Sequence, residues 1–290
     1  MDGINNKNNK NENKTVTISF RKAYAEDESL EKYLIKLSQD VEDLDTLRIG
    51  GHSILAYSVI HNYRTLIRCL IFLHNVDVTA NNNEALILAA TYCNYDQFKL
   101  LCENGADPRA RNDACIKIAT SKGYESIYTY LIKNKLCDVN AGYGEPLLNA
   151  VERNDLNLFS LLVSYGADID IDQDRALSKA ISYDNKTLVS MFIKYGANFR
   201  RENDKFLNDA VTFGYKGMVR LLLVCGAKAS SMEYWALKQA KWHGLNEILD
   251  ILISFIDIDK AMEDANDRCD NILQEILIEY KKKEKTDDGI

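Results

Sequence analysis

Only two prolines occur in the 290 residues, and glycine numbers 14. A β-sandwich needs turn residues every few positions, so this scarcity disfavours one and suits a helical chain. Cysteine is present at Cys69, Cys93, Cys102, Cys115, Cys137, Cys225 and Cys269, but no two form a C-x-x-C pair. Disulfide frameworks and structural zinc sites need clustered spacing, so these thiols are expected to be reduced and mostly in the core. His52, His61, His74 and His243 make no H-E-x-x-H or H-x-x-x-H pattern, and no metal or cofactor is expected. Positive charge is in deficit: 36 Lys and Arg against 43 Asp and Glu leave a net charge of -7. A basic stripe that neutralises phosphates is missing, which argues against a nucleic-acid partner.

Long apolar runs are also missing. None approaches the roughly 18 residues that span a bilayer, so no membrane partner is expected. The first 14 residues are a polar Asn/Lys tract with no apolar core, so they do not read as a secretory signal. These absences point to a soluble, cytoplasmic monomer. The run Lys281-Lys282-Lys283-Glu284-Lys285 gives weak support for a nuclear address and reads better as a solvated tail. Catalytic signatures are lacking too. There is no P-loop, no G-x-G-x-x-G after a strand and no G-x-S-x-G elbow. No catalytic residue can be named, and no enzymatic activity is expected.

What is present is a period. About 46% of the residues are hydrophobic, enough for a sizeable core, and they recur in register. A small residue returns as Ser58, Ala89, Ala119, Ala150, Ala180, Ala210 and Ala240, in steps of 30 or 31. Eleven and twelve residues later comes an apolar pair: Leu100-Leu101, Leu161-Leu162, Met191-Phe192, Leu221-Leu222 and Ile251-Leu252. Each unit therefore reads as helix, tight turn, helix. Asn83, Asp113, Asp174 and Asp204 stand just ahead of the first helix, where such side chains accept bonds from unpaired N–H groups. Gly105, Gly166, Gly196 and Gly226 close the second helix, because a left-handed residue ends a helix without steric cost there. One such unit cannot bury its apolar face alone, so the units must stack, with the apolar pair filling the layer between them.

The Ala, the apolar pair and the Gly105-Ala106-Asp107 and Gly166-Ala167-Asp168 endings resemble the ankyrin-repeat family. The family's Thr-Pro-Leu-His opening survives only as Glu145-Pro146-Leu147-Leu148. The repeat is shorter than the family's usual 33 residues, and the loss falls on the hairpin finger between units. With the Asn/Lys-rich start, the chain is most similar to the mimivirus-like ankyrin proteins of giant DNA viruses, which implies the host cytoplasm. The expected fold is an all-α ankyrin-type helical repeat solenoid with short inter-repeat turns. Residues 1–14 are expected to be a disordered tail and 15–48 a degenerate N-terminal capping repeat, with Leu34-Ile35 as its apolar pair. Seven repeats follow over 49–260, then a capping helix over 261–282, marked by Ile272, Leu273, Ile276, Leu277 and Tyr280, and a tail over 283–290.

The resemblance implies a non-catalytic scaffold that binds a protein partner through its concave helical face. The alternative is an adaptor that presents a bound partner to a ubiquitin ligase or other host machinery; no F-box-like segment stands in either end to support it. Three residues after each small residue the chain reads His61, Tyr92, Lys122, Arg153, Tyr183, Phe213 and His243. All are aromatic or potentially cationic, the types that dominate binding hot spots. The candidate partner-binding residues are Tyr92, Lys122, Arg153, Tyr183, Phe213, Trp242 and His243, and the cations suggest a partner with some acidic character. Packing of these rings on the neighbouring repeat is the competing explanation.

Overall fold

The computed structural model describes residues 27–40 and 43–287. The Asn/Lys-rich start and Ala23-Tyr24-Ala25 lie outside the described residues. Among the described residues helices make up 71%, in seventeen segments, which agrees with the all-α expectation. The described residues divide into two units, within Met1–Pro146 and within Leu147–Ile290.

The first unit opens with α1 (Asp27–Asp40), which packs on α3 and puts a carboxylate on that helix's start. Glu31 Oε1 accepts from the N–H groups of Thr65 and Leu66 at 3.0 and 3.1 Å. A two-residue hairpin follows, β1 (Arg48–Ile49) against β2 (His52–Ser53), antiparallel with Ile49 opposite His52. Gly50 and Gly51 make its turn at φ 60° and 89°, the left-handed pair that a two-residue hairpin requires. The helix pairs are α2 (Ile54–Ile60) with α3 (Arg64–Phe72), α4 (Ala80–Thr91) with α5 (Tyr95–Glu103), and α6 (Ala110–Lys122) with α7 (Glu125–Lys133). α8 (Ala141–Glu152) runs across the division into the second unit, where α9 (Leu156–Ser164) follows.

The second unit continues with α10 (Ile171–Ser182) and α11 (Lys186–Lys194), α12 (Arg201–Thr212) and α13 (Lys216–Val224), and α14 (Ser231–Trp242) and α15 (Asn246–Ile253). Two more helices close it, α16 (Ile258–Asp267) and α17 (Asn271–Asp287). α17 carries the apolar stripe with Leu273, Ile276 and Leu277 fully covered. α16 was not marked by the 30-residue step, because its small residue, Ala265, comes 25 residues after Ala240 with no turn segment between. The lysine run is not a free tail: Lys281 pairs with Asp259 and Lys283 with Asp250, both at 2.9 Å.

The small residues sit where the period places them. Ser58 and all six alanines of the row have no exposed surface. The backbone of each also closes a helix, because its carbonyl accepts from the N–H five residues on, as Asn94 to Ala89 at 2.9 Å and Asn185 to Ala180 at 3.0 Å. With the residue in between left-handed, such as Cys93 at φ 59° or Asp184 at φ 50°, this is the Schellman ending of the first helix. The apolar pair needs correction. Leu101, Leu162, Phe192, Leu222 and Leu252 are wholly buried, but of the first members only Ile251 is buried, while Leu100, Leu161, Met191 and Leu221 are half-buried. The inner positions of the second helix are instead the buried pair three and four residues earlier, such as Leu158 and Phe159. On a 3.6-residue period these share a face with Leu162, while Leu161 is turned off it. In the second unit Phe159 meets Phe192 edge to face at 4.8 Å.

The turn segments hold the second correction. Asn83, Asp113 and Asp204 do not cap the helix that follows. Each is the last of three consecutive left-handed residues: Asn81–Asn83, Arg111–Asp113 and Glu202–Asp204. Gly142–Gly144 and Met232–Tyr234 repeat the geometry, as do Asp172 and Asp174. Left-handed backbone crowds Cβ, and Asn and Asp tolerate it better than most residues. The third side chain is then buried and reaches the next turn. Asn83 Oδ1 accepts from the N–H of Asp107 at 2.7 Å, and Asp113 Oδ1 from Asp138 at 2.9 Å. Arg111 donates back to the carbonyls of Asn81 and Asn82 at 2.8 and 3.2 Å. In the second unit Ser231 donates to Asp204, Arg201 pairs with Asp174 at 3.2 Å, and the Tyr234 hydroxyl donates to Asp264 at 2.8 Å. Asp107 folds its own turn by accepting from Arg109 N–H at 2.9 Å, an Asx turn that gives the Gly-Ala-Asp ending its physical reason.

Candidate functional site

Every member of the sequence-derived row is exposed. The row stands where the first helix of each repeat ends and the link to the second begins. Tyr92, Tyr183, Phe213 and His243 are the C-cap residues of α4, α10, α12 and α14. Lys122 is the last residue of α6, Arg153 follows α8, and Trp242 ends α14. In the first unit Tyr92 keeps 53% of its surface, and in the second Tyr183 keeps 52%, Phe213 52% and Trp242 55%. Rings that packed on the next repeat would be covered. Their contacts are local instead: Phe213 lies 5.5 Å from the Tyr215 ring, and Lys179 sits 5.1 Å over Tyr183. The interrepeat bonds of this edge are made by other residues. The hydroxyl of Tyr215 donates to the carbonyl of Ser182 at 2.9 Å, and that of Tyr124 to Thr91 at 3.4 Å.

The cations of the row have a local role. Lys122 and Arg153, like the ring nitrogens of His61 and His243 when protonated, sit at the carboxyl ends of first helices. A cation there offsets the negative end of the helix dipole. That employment explains the absence of acids from the row without an acidic partner. It does not explain exposed Tyr, Phe and Trp.

The thiols offer no nucleophile in the core. Burial pushes Cys102, Cys115 and Cys137 up to about 12, so they stay protonated at neutral pH. All seven cysteines are free, but the expectation that most are core residues fails. Cys93, Cys225 and Cys269 are exposed, because they occupy helix-end turns where a small side chain suffices. Among the described residues no group of three or more His, Cys, Asp or Glu could hold a metal ion, and no helix is long and apolar enough to cross a membrane.

The family model described as ankyrin repeats in three copies matches residues 20–112 and 147–233. The chain belongs to the ankyrin-repeat family. Its fold is similar to the ankyrin repeat domain of Bcl-3, described as a unique member of the IkappaB protein family, at 21% identity and a TM-score of 0.59. That likeness covers 70% of this chain and 99% of the other. An ankyrin repeat domain from Acinetobacter baumannii is similar at 23% identity and a TM-score of 0.51, over 59% of this chain and 96% of that one. No curated protein matches the sequence. Ankyrin repeats are generally protein–protein interaction modules and typically non-catalytic scaffolds.

Within this ankyrin chain the structure adds one residue, Trp235, to the candidate surface that the row did not contain, and it leaves one half-buried carboxylate, Asp209, without an ion pair among the described residues. Trp235 lies seven residues before Trp242 on α14, and the two rings meet edge to face, 5.6 Å apart at 88°. Asp209, on α12, stands immediately before its repeat's small residue, as Gln239 does on α14 between the tryptophans. The signal for Trp235 was available: two tryptophans seven apart on one helix share a face. Asp209 carried no signal, since an acid on an outer helix position is ordinary.

Proposed function

We propose that this chain is a non-catalytic scaffold that binds a protein partner through the concave helical face, with the exposed residues at its first-helix ends as anchors. The observation that supports it is the row of half-exposed aromatics at positions where packing does not employ them. A soluble chain gains nothing in stability from holding Tyr183, Phe213 and Trp242 in water, whereas a partner that covers them gains large, rigid contact area with a polar end. In the first unit Tyr92 and Lys122 offer the same chemistry. The finer kinship with giant-virus ankyrin proteins, with a monomer in host cytoplasm, rests on the shortened turns and the Asn/Lys-rich start. An adaptor role would use the same surface and add a recruiting segment.

Affinity capture from cell lysate identifies the partner, and the Tyr183→Ala plus Phe213→Ala double mutant then tests the surface. A double mutant that unfolds at the wild-type temperature and loses the partner supports the reading. A stable double mutant with wild-type affinity removes both residues from the site. Recovery of ligase subunits with the partner would favour the adaptor.

A further inference from the structure

A cleft of about 590 Å³ opens at the turn edge of the second unit. Its walls come from consecutive repeats: the turn at Asn203, the segment from Lys228 to Tyr234, and Phe255 with α16. Among the described three-residue left-handed turns, only Met232–Tyr234 contains no Asn, Asp or Gly; its φ angles are 49°, 57° and 61°. Left-handed backbone crowds Cβ, and Met and Tyr do nothing to relieve it. The turn therefore keeps these side chains against local preference, which directs attention to what they line.

The acids of the cleft are already engaged. The Tyr234 hydroxyl donates to Asp264 at 2.8 Å. Burial together with that bond pushes Tyr234 up to about 12, so the donor keeps its proton at neutral pH. Asp257 Oδ1 accepts from the N–H groups of Asp259 and Lys260, at 3.1 Å each, where α16 begins. Glu233 pairs with Arg268 at 3.1 Å. Lys228 and Lys260 line the same cleft, are exposed, and have no ion pair among the described residues. The unpaired charge of the cleft is therefore positive, in a chain whose net charge is -7. The cleft also holds two apolar groups that the fold leaves open, Phe255 at 45% exposure and Met232 at 51%.

We propose that this cleft is a second docking site, for a segment of a protein partner that presents acidic and apolar side chains together. Carboxylates of the segment meet the Lys228 and Lys260 ammonium groups. Its apolar side chains cover the Phe255 ring and the Met232 thioether, a group that adapts to irregular surfaces. A phosphate-rich ligand would leave both apolar groups in water and would meet three carboxylates, Glu233, Asp257 and Asp264, so a peptide is favoured. The site lies at the turn edge and does not depend on the scaffold surface at the first-helix ends.

The full chain is labelled with carbon-13 at the methyl groups of its five methionines, and Met232→Leu assigns the signal of the cleft. It is titrated with a capped hexapeptide of three Glu-Leu repeats. Gln-Leu repeats remove the charge, and Glu-Gly repeats remove the apolar groups. A saturable shift of the Met232 methyl is expected with Glu-Leu, with each control binding about threefold more weakly or worse. Lys228→Gln and Lys260→Gln should each weaken the Glu-Leu peptide by about threefold, whereas Lys194→Gln on α11, the same charge change outside the cleft, should have less than about a 1.5-fold effect. Phe255→Ala should weaken Glu-Leu and leave Glu-Gly unchanged; if it does not fold, Phe255→Leu should give a smaller loss of the same kind. An unmoved Met232 signal overturns the site. Equal affinities for Glu-Leu and Glu-Gly would reduce it to an anion site, and equal losses in Lys228→Gln and Lys194→Gln to diffuse attraction; either result overturns it. The Tyr183→Ala plus Phe213→Ala protein should bind the peptide as wild type does. If it folds and does not bind, the peptide belongs to the first-helix ends, and the cleft fails while the scaffold reading stands.

Discussion

The two edges of each repeat treat their side chains in opposite ways. At the turn edge, between repeats, polar side chains are buried. Asn83, Asp113 and Asp204 sit on left-handed backbone and bond to the next turn. At the link edge, between the paired helices, the backbone closes itself through the Schellman bonds to Ala89 or Ala180, and Tyr92, Tyr183 and Phe213 are left in water. The turn edge therefore needs these side chains to fold, and the link edge closes without its exposed rings. Where a fold does not need a large side chain, that side chain is available for binding.

The core between the edges sets the scale. Leu162→Ala empties a fully buried site in the second unit and should cost about 2–5 kcal/mol. Leu161→Ala, one residue away and half-buried, should cost well under half of that. Urea unfolding of the pair measures both; equal losses would show that the second helix is rotated from the face assigned to it. The turn edge comes next. Asp113→Ala leaves the N–H of Asp138 without its acceptor, and because this bond is only part-buried the loss should be about 1 kcal/mol. A change at or near zero would mean that the left-handed turns are held by backbone alone, and the contrast between the edges would collapse.

Much of this was legible in the sequence, and the reasons are specific. A 30-residue step with Ala at the closest helix approach has one structural solution, so the helix pairs and the buried alanines followed directly. Gly105 and its counterparts were legible because little else adopts φ near 97°. The turns were not legible, because Asp ahead of a helix serves equally as a cap or as a bridge to the next repeat, and only the backbone sign separates the two. Asn62, Cys93, Gly123, Asn154, Asp184, Gly214 and Gly244 are all left-handed, four residues after each small residue. That recurrence of Gly, Asn and Asp is present in the sequence, but Cys93 breaks the pattern and masks it. On the candidate surface, the sequence placed the row but could not tell exposure from packing. It missed Asp209 because a lack of partners is visible only in three dimensions.

The link edge is not idle everywhere, which gives the comparison a pH-dependent test. Asp270 occupies the link of the last pair, accepts from the N–H of Leu273 at 3.1 Å and pairs with Lys238 at 2.5 Å. Burial pushes this carboxyl up, but the bonds from Lys238 and from the backbone of Leu273 and Ile272 outweigh it, so it titrates below its ordinary value. A lowered folded pKa means that the charged form is bound more tightly in the folded state. The stabilisation is present above the unfolded value, about 3.9 for Asp, and is lost as pH falls through the folded value. Asp270→Asn should therefore be less stable than wild type at pH 7, and the gap should close as pH falls through the folded value. A gap that persists unchanged in acid would assign it to packing rather than to charge.

The smallest effect is expected where the edges differ most. Tyr183 and Phe213 keep 52% of their surface each, and their removal opens no cavity and strands no buried polar group. Phe213 gives up a ring contact with Tyr215, and Tyr183 gives up Lys179, both at the surface. Surface changes of this kind usually stay within about 0.5 kcal/mol. The Tyr183→Ala plus Phe213→Ala protein should therefore unfold within a few degrees of wild type, since 1 kcal/mol moves the midpoint of a domain of this size by about 2–4 °C. Differential scanning calorimetry decides it. A drop of ten degrees or more would return the rings to the stack as packing groups, and the fold would then depend on the link edge as much as on the turn edge. An unchanged midpoint leaves two large aromatic side chains with no part in stability, on a surface that water alone gives no reason to keep.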